Sequence, residues 1–188
     1  MLHKVMMLTI AGLFLILPGA HATPMESMQL LGSGEARYLR FIKVYDASLY
    51  ANQPVAAEDI LNPDISKCLN LEYDVAVGKE DFITVANTVL HRQFSKNQLS
   101  AVETELEALH DSYIDVKKGD KYTLCYNNSE YQTTLAHNAI ELVSVNSPAF
   151  AEVYFSIWLG STNPLDEKLR NKLLENAVKS SNASKGVQ

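Results

Sequence analysis

A chain of 188 residues, 47% hydrophobic and 20% charged, has the proportions of one globular domain, long enough to build a core without metal or disulfide staples. A formal net charge of −6 argues against a nucleic-acid partner. No fixed-period self-similarity is visible, which argues against a solenoid or propeller.

In chain order, residues 1–22 read as a secretory signal peptide. Lys4 supplies the positive start, "VMMLTIAGLFLIL" is too short for a comfortable membrane span, and "AHA" ends at Ala22 with a small-x-small cleavage pattern. The mature chain is then expected to begin at Thr23, to keep no stable membrane span, and to work outside the cytoplasm, in the periplasm if the source is Gram-negative. The competing reading is an uncleaved N-terminal anchor. Residues 23–180 are expected to form the single domain, and 181–188 a polar tail.

Residues 27–51 read as strands, with Gly32 and Gly34 marking a turn or bulge. "NQPVAAEDILNPDIS" is a loop, and "CLNLEYDVAV" a strand that places Leu69, Leu71, Tyr73 and Val75 on one face. From 80 to 94 the apolar residues Phe82, Val85, Ala86, Val89 and Leu90 recur at helical spacing. Ser95 and Gln98 form a capping-box pattern that opens a second helix, with Leu99, Val102, Leu106, Leu109 and Tyr113 as its stripe. Its Glu103, Glu105 and Glu107 are a solvated face. "KKGDKY" reads as a hairpin-type turn. "KYTLCYN", "EYQTTLAH" and "AIELVSV" are three more strands. Ser147 caps a helix with Pro148 at its first position, and Gly160 ends it. Asn163-Pro164 restarts a helix with Leu165, Leu169, Leu173 and Val178 as its stripe.

Strands that come in hairpins, not in alternation with helices, indicate an α+β fold: an antiparallel sheet with helices on one face. A gap between two such layers is a place for a small apolar ligand. Export leaves Cys68 and Cys125 with two readings, a disulfide or two buried free thiols. His91, His110 and His137 lack ligand spacing, so neither a metal nor another cofactor is expected.

Three stretches resemble the exported bacterial branch of the chalcone isomerase-like family: "GEARYLRFIKVYDASLYA", "KKGDKYTLCY" and "FSIWLGSTNPLDEKLRNKLL". They fall in the family's order and span nearly the whole mature chain. The resemblance implies an open-faced β-sandwich, in agreement with the element order. It implies either an isomerase that closes chalcones or a non-enzymatic holder of fatty acids in the same cleft. Arg37 matches the family's ligand-facing arginine, and Tyr45 a second ligand-facing position. Tyr45 stands where the plant enzymes carry a threonine that orders the catalytic water.

Three functions follow. The favoured one is a non-enzymatic binder of a fatty acid or similar apolar carboxylate. A buried Arg37 would need a partner, its fork of donors matches a carboxylate, and the Tyr45 hydroxyl supplies a second hydrogen bond. The tail would lie against residues such as Phe82, Leu90 and Phe94. The second is an isomerase or intramolecular lyase, with Arg37 stabilising a developing enolate or phenoxide. The third is a structural or partner-binding envelope protein. For Arg37 alone the bland reading is an edge-strand arginine in water, or one paired with Glu35 or Glu72. Arg40 differs in parity and is expected on the other face. Tyr45 and Tyr50 could be plain core aromatics. Trp158 reads as a packing anchor, and Asn138 as either a pocket or a turn residue.

Overall fold

The computed structural model describes residues 27–39 and 41–179. The expected signal peptide, Arg40 and the polar tail lie outside the described residues. Six strands form one sheet in sequential order, each antiparallel to the next: β1 (Gln29–Tyr38), β2 (Ile42–Ala51), β3 (Lys67–Tyr73), β4 (Lys121–Asn127), β5 (Gln132–His137) and β6 (Ile140–Asn146). Between β3 and β4 come α1 (Lys79–Gln93), α2 (Lys96–Ser100) and α3 (Glu103–Ser112), and after β6 come α4 (Pro148–Leu159) and α5 (Glu167–Leu173). This is the expected α+β architecture.

Strand periodicity sorts the sheet into two faces. Ala47, Leu49, Leu69, Leu71, Tyr73, Tyr122, Leu124 and Leu135 are buried on one face and form the floor of the core. The opposite face carries short polar side chains and ion pairs. Thr123 Oγ1 donates to Asn70 Oδ1 at 3.0 Å, and Lys121 meets Glu72 at 3.0 Å. One face is therefore open and polar, and the other is roofed by helices.

The roof is centred on α4. Its sequence, "PAFAEVYFSIWL", is apolar all round, and every residue from Phe150 to Leu159 except Glu152 is buried. A helix with no polar face has to be buried on all sides. The Ser147 side chain accepts from Phe150 N–H and Pro148 occupies the first turn, as the sequence predicts. The Ser95–Gln98 capping box forms as well.

Several expectations are corrected. The helix expected from Ser95 to Tyr113 breaks at Ala101–Val102 into α2 and α3, because Val102 leaves helical geometry at φ −128° and ψ 20°. The strand expected to run to Val77 ends at Tyr73, and Val77 makes only a single bridge to Val116. "KKGDKY" is a turn, closed by Asp120 N–H to Lys117 O at 3.0 Å, but it joins that short bridge to β4, not two full strands. The last helix starts at Glu167 under an Asp166 cap, not at Asn163. Val178 lies beyond it, in a parallel bridge to Ala56. Residues 27–51 reverse at Leu39–Phe41, in a turn built without glycine or proline, with Leu39 at φ 49°.

The cysteines form a disulfide, so the free-thiol reading is set aside. Cys68 and Cys125 are directly opposed on β3 and β4, on the face away from the helices, with their Cα atoms 4.1 Å apart.

Candidate functional site

Between the sheet and the helices lies a cavity of about 240 Å³. Its floor includes Tyr45 and Tyr73, which are register partners on β2 and β3. Its roof includes Phe82 of α1 and Tyr154, Ile157 and Trp158 of α4. Tyr113, just past α3, and Tyr122 of β4 complete an aromatic lining. These rings lock one another edge to face: Tyr45 with Tyr73 at 5.5 Å, Tyr73 with Phe82 at 5.6 Å and Phe82 with Tyr122 at 5.5 Å between centroids. Such pairs hold a wall rigid without filling the space in front of it.

The hydroxyl groups are arranged by their partners. Trp158 Nε1–H donates to the Tyr45 hydroxyl at 3.0 Å. An indole N–H is donor-only, so Tyr45 receives this bond and keeps its own proton to give. Among the described residues nothing accepts that proton. Burial pushes the Tyr45 phenol up to about 12, so it stays protonated at neutral pH. Tyr113 and Tyr154 hydroxyls pair at 2.6 Å, and burial raises both above the ordinary phenol range. The Tyr122 hydroxyl donates to Ile114 O at 2.8 Å and accepts from Ile114 N–H at 3.0 Å. Tyr73 is buried in the same wall.

The mouth is marked by the exposed lining residues Arg37, Tyr38, Asp81 and Val85. It lies between the tip of the β1–β2 hairpin and α1. The two hairpin strands shift register between Ala36 and Arg37: Ala36 pairs with Tyr45 and Arg37 with Lys43, which leaves Val44 as the extra residue. A bulge of this kind turns side chains relative to the regular pleat. Val44 and Tyr45 thereby both reach the cavity.

Arg37 is at the rim, but it is not the buried guanidinium expected from the sequence. Its side chain is 41% exposed, and Nε and Nη2 reach Glu35 Oε1 at 2.8 and 2.7 Å. Glu35 and Arg37 are two apart on one strand and so share a side. The hydrogen bond from Arg37 holds the Glu35 carboxyl below its ordinary value. Of the two partners the sequence offers, Glu35 is the one used, and Glu72 is bound by Lys121.

Other candidates separate cleanly. Phe82 lines the cavity, whereas Leu90 is core and Phe94 only packs against it, so two of the three residues suggested for the tail are not in the wall. Tyr50 lies on the polar face, opposite Cys68. Asn138 is a turn residue at φ 48°, and its side chain binds Lys121 N–H and Asp120. Trp158 is more than a packing anchor, since it orients Tyr45. The sequence signal was available, a lone tryptophan in a buried helix, but its partner is 113 positions away. Periodicity marks Tyr73, Tyr113, Tyr122 and Tyr154 only as stripe or strand residues. The described residues contain no cluster of three or more His, Cys, Asp or Glu side chains suited to a metal ion.

No curated protein matches the chain. Among solved structures it is similar to a fatty-acid binding protein of Arabidopsis thaliana, with a TM-score of 0.61 and 18% identity over 80% of this chain and 88% of that one. At that identity the likeness speaks for the fold. The sequence profile of the chalcone isomerase-like family matches residues 16–175, most of the chain. With the six-stranded antiparallel sheet and its one-sided helical roof, that match assigns the protein to the chalcone isomerase-like family.

Proposed function

We propose that this protein is a non-enzymatic, exported binder of a fatty acid or similar apolar carboxylate, held in the cavity between sheet and helices. The observation that carries the reading is the aromatic cavity of about 240 Å³ with the Tyr45 proton unclaimed inside it and Arg37 at its rim. A cavity of this size with an apolar, aromatic lining suits an acyl segment. The carboxylate sits at the mouth. There Arg37 exchanges Glu35 for the ligand, and the loss is small because the resident pair is exposed to water. Tyr45, aimed by Trp158, donates the second hydrogen bond. The fatty-acid binding protein of similar fold supports the same ligand class. The Cys68–Cys125 disulfide fits an oxidising, extracytoplasmic setting.

The test is native mass spectrometry of the protein recovered from the exported fraction, beside Arg37→Ala. A titration with saturated fatty acids follows, read by the fluorescence of the single tryptophan, Trp158. The expected results are a co-purifying acidic, lipid-sized adduct, a Trp158 signal that saturates, and about tenfold weaker binding in Arg37→Ala. A wild type that is empty as isolated and stays empty after incubation with fatty acids removes the proposal.

A further inference from the structure

The tip of the β1–β2 hairpin is the most exposed apolar feature among the described residues. Phe41 is 86% exposed, Leu39 66%, Tyr38 61% and Ile42 49%. These side chains flank a turn that Phe41 N–H closes on Tyr38 O at 3.2 Å, beyond the last ladder pair, Tyr38 with Ile42. Leu39 and Phe41 belong neither to the cavity lining nor to the core cluster, so their exposure has no return within the described fold. Leu39 even occupies a left-handed backbone position, φ 49°, which a branched apolar residue adopts at a cost. A contiguous exposed apolar patch of this kind marks an interaction surface.

We propose that this hairpin tip docks the protein on a lipid bilayer, with the mouth of the cavity facing the membrane. Three observations choose a bilayer over other occupants. The patch sits on a hairpin turn beyond the last ladder pair and not on a helix or sheet face, so it suits insertion among lipid chains more than the reception of a helix or peptide. The apolar residues gather at the tip and not along the free edge of β1, where Ser33 and Glu35 are exposed, so strand addition by a second copy gains little from them. Local charge also permits it despite the net charge of −6. Residues 36–45 contain cations and no carboxylate. The acids at the hairpin base are held by its own cations: Glu35 by Arg37 at 2.7 Å, and Asp46 and Asp74 by Lys43 at 2.6 and 2.9 Å. Anionic headgroups therefore meet no free carboxylate on the hairpin itself, and Asp81 of α1, at the same mouth, accepts from Gly78 N–H at 3.2 Å.

Position supplies the function of such docking. Tyr38 belongs both to the exposed tip and to the cavity wall, and Val85 of α1 is likewise exposed and lining. An apolar surface thus runs from the tip into the cavity. A lipid-derived ligand could pass from bilayer to cavity without crossing water.

The test is flotation of the whole mature protein, with no added ligand, on vesicles of phosphatidylethanolamine and phosphatidylglycerol. It compares wild type with Phe41→Ser and Leu39→Asn, neither of which lines the cavity. Wild type should float with the vesicles, and each variant should bind roughly tenfold or more weakly with a thermal midpoint that does not fall. Binding driven by the apolar tip should also survive a rise in salt. A wild type that stays with the soluble fraction, or variants that float equally well, overturns the proposal. So does sedimentation that shows a tip-dependent dimer with no vesicle binding, which would make a second copy the occupant. The Trp158 fluorescence titration in solution is the independent control: it reads the cavity alone, so failure of docking and failure of ligand binding are separable.

Discussion

At the residue scale, the protein treats its polar groups in three ways. Tyr45 is buried but oriented, with one partner on α4 and a hydroxyl proton that no described residue accepts. Arg37 is exposed and reversibly occupied by Glu35. Lys67 is the outlier. It is fully buried on the core face of β3, its Nζ donates to Asn62 O at 3.2 Å and Ile65 O at 3.1 Å, and it lies over the Tyr126 ring at 4.8 Å. Burial pulls its ammonium down to about 8 from an ordinary 10.5. The sign follows from proton counts. Between those values the unfolded chain keeps the proton and the folded chain has released it, so stability rises with pH. The buried tyrosines act oppositely. Their raised values mean that the unfolded chain loses protons first, above about pH 10, and stability falls there. Unfolding free energy should therefore climb by up to about 2 kcal/mol between pH 8 and pH 10 before declining. Denaturant titrations across that range should show the climb in wild type and not in Lys67→Met.

At the element scale, close approach decides what α5 can do. A Cβ at Gly32 of β1 would fall on the carbonyls of Lys172 and Leu173, at the end of α5, and Asn176 N–H bonds Leu31 O at 2.8 Å just beyond. The helix end is laid directly on strand backbone, which only glycine permits. Gly32→Ala should force α5 outward, at a cost of about 2 kcal/mol and a fall of roughly 4–8 °C in Tm. Calorimetry of the purified variant measures this; an unchanged Tm would mean that α5 is not seated as described. The sequence marked Gly32 and Gly34 as special but offered a bulge or turn as the reason. A bulge is present between Leu30 and Gly32. The packing reason was hidden, because α5 lies 140 residues away in the chain. The hairpin turn at Leu39 was illegible for the opposite reason: it carries none of the Gly, Pro, Asn or Asp residues by which turns are recognised.

At the scale of the whole molecule, two layers with unequal needs hold the cavity open. The helix-facing side of the sheet is apolar and roofed by α4. The other side faces water and is cross-linked by Cys68–Cys125, which closes a sequence separation of 57. A loop of that length confers about 4 kcal/mol on the chain-entropy account. Because the bridge lies on the far side of β3 and β4 from Tyr73 and Tyr122, reduction should lower Tm strongly yet leave the ligand response of Trp158 intact at low temperature. Thermal scans and fluorescence titrations with and without reductant measure both. Loss of ligand response in a still-folded reduced protein would show that the sheet's two faces are coupled.

The amino-acid sequence by itself determined what depends on neighbours along the chain. Alternation in "LNLEY", helical spacing in α1, the Ser95 and Ser147 caps and the order of hairpins and helices are local properties, and they lead to an antiparallel sheet with helices on one face. Arg37 and Tyr45 were singled out by resemblance, and both lie at the cavity. Only the tertiary structure decided what depends on distant partners: the disulfide, the Trp158–Tyr45 bond, the ring of tyrosines drawn from β2, β3, β4, α4 and the segment after α3, and the pairing that leaves Arg37 in water. The physical reason is that a cavity is a gap between surfaces. Periodicity tells which face of an element is apolar, but the width of the space between two such faces is set by side chains that meet only when the chain has folded.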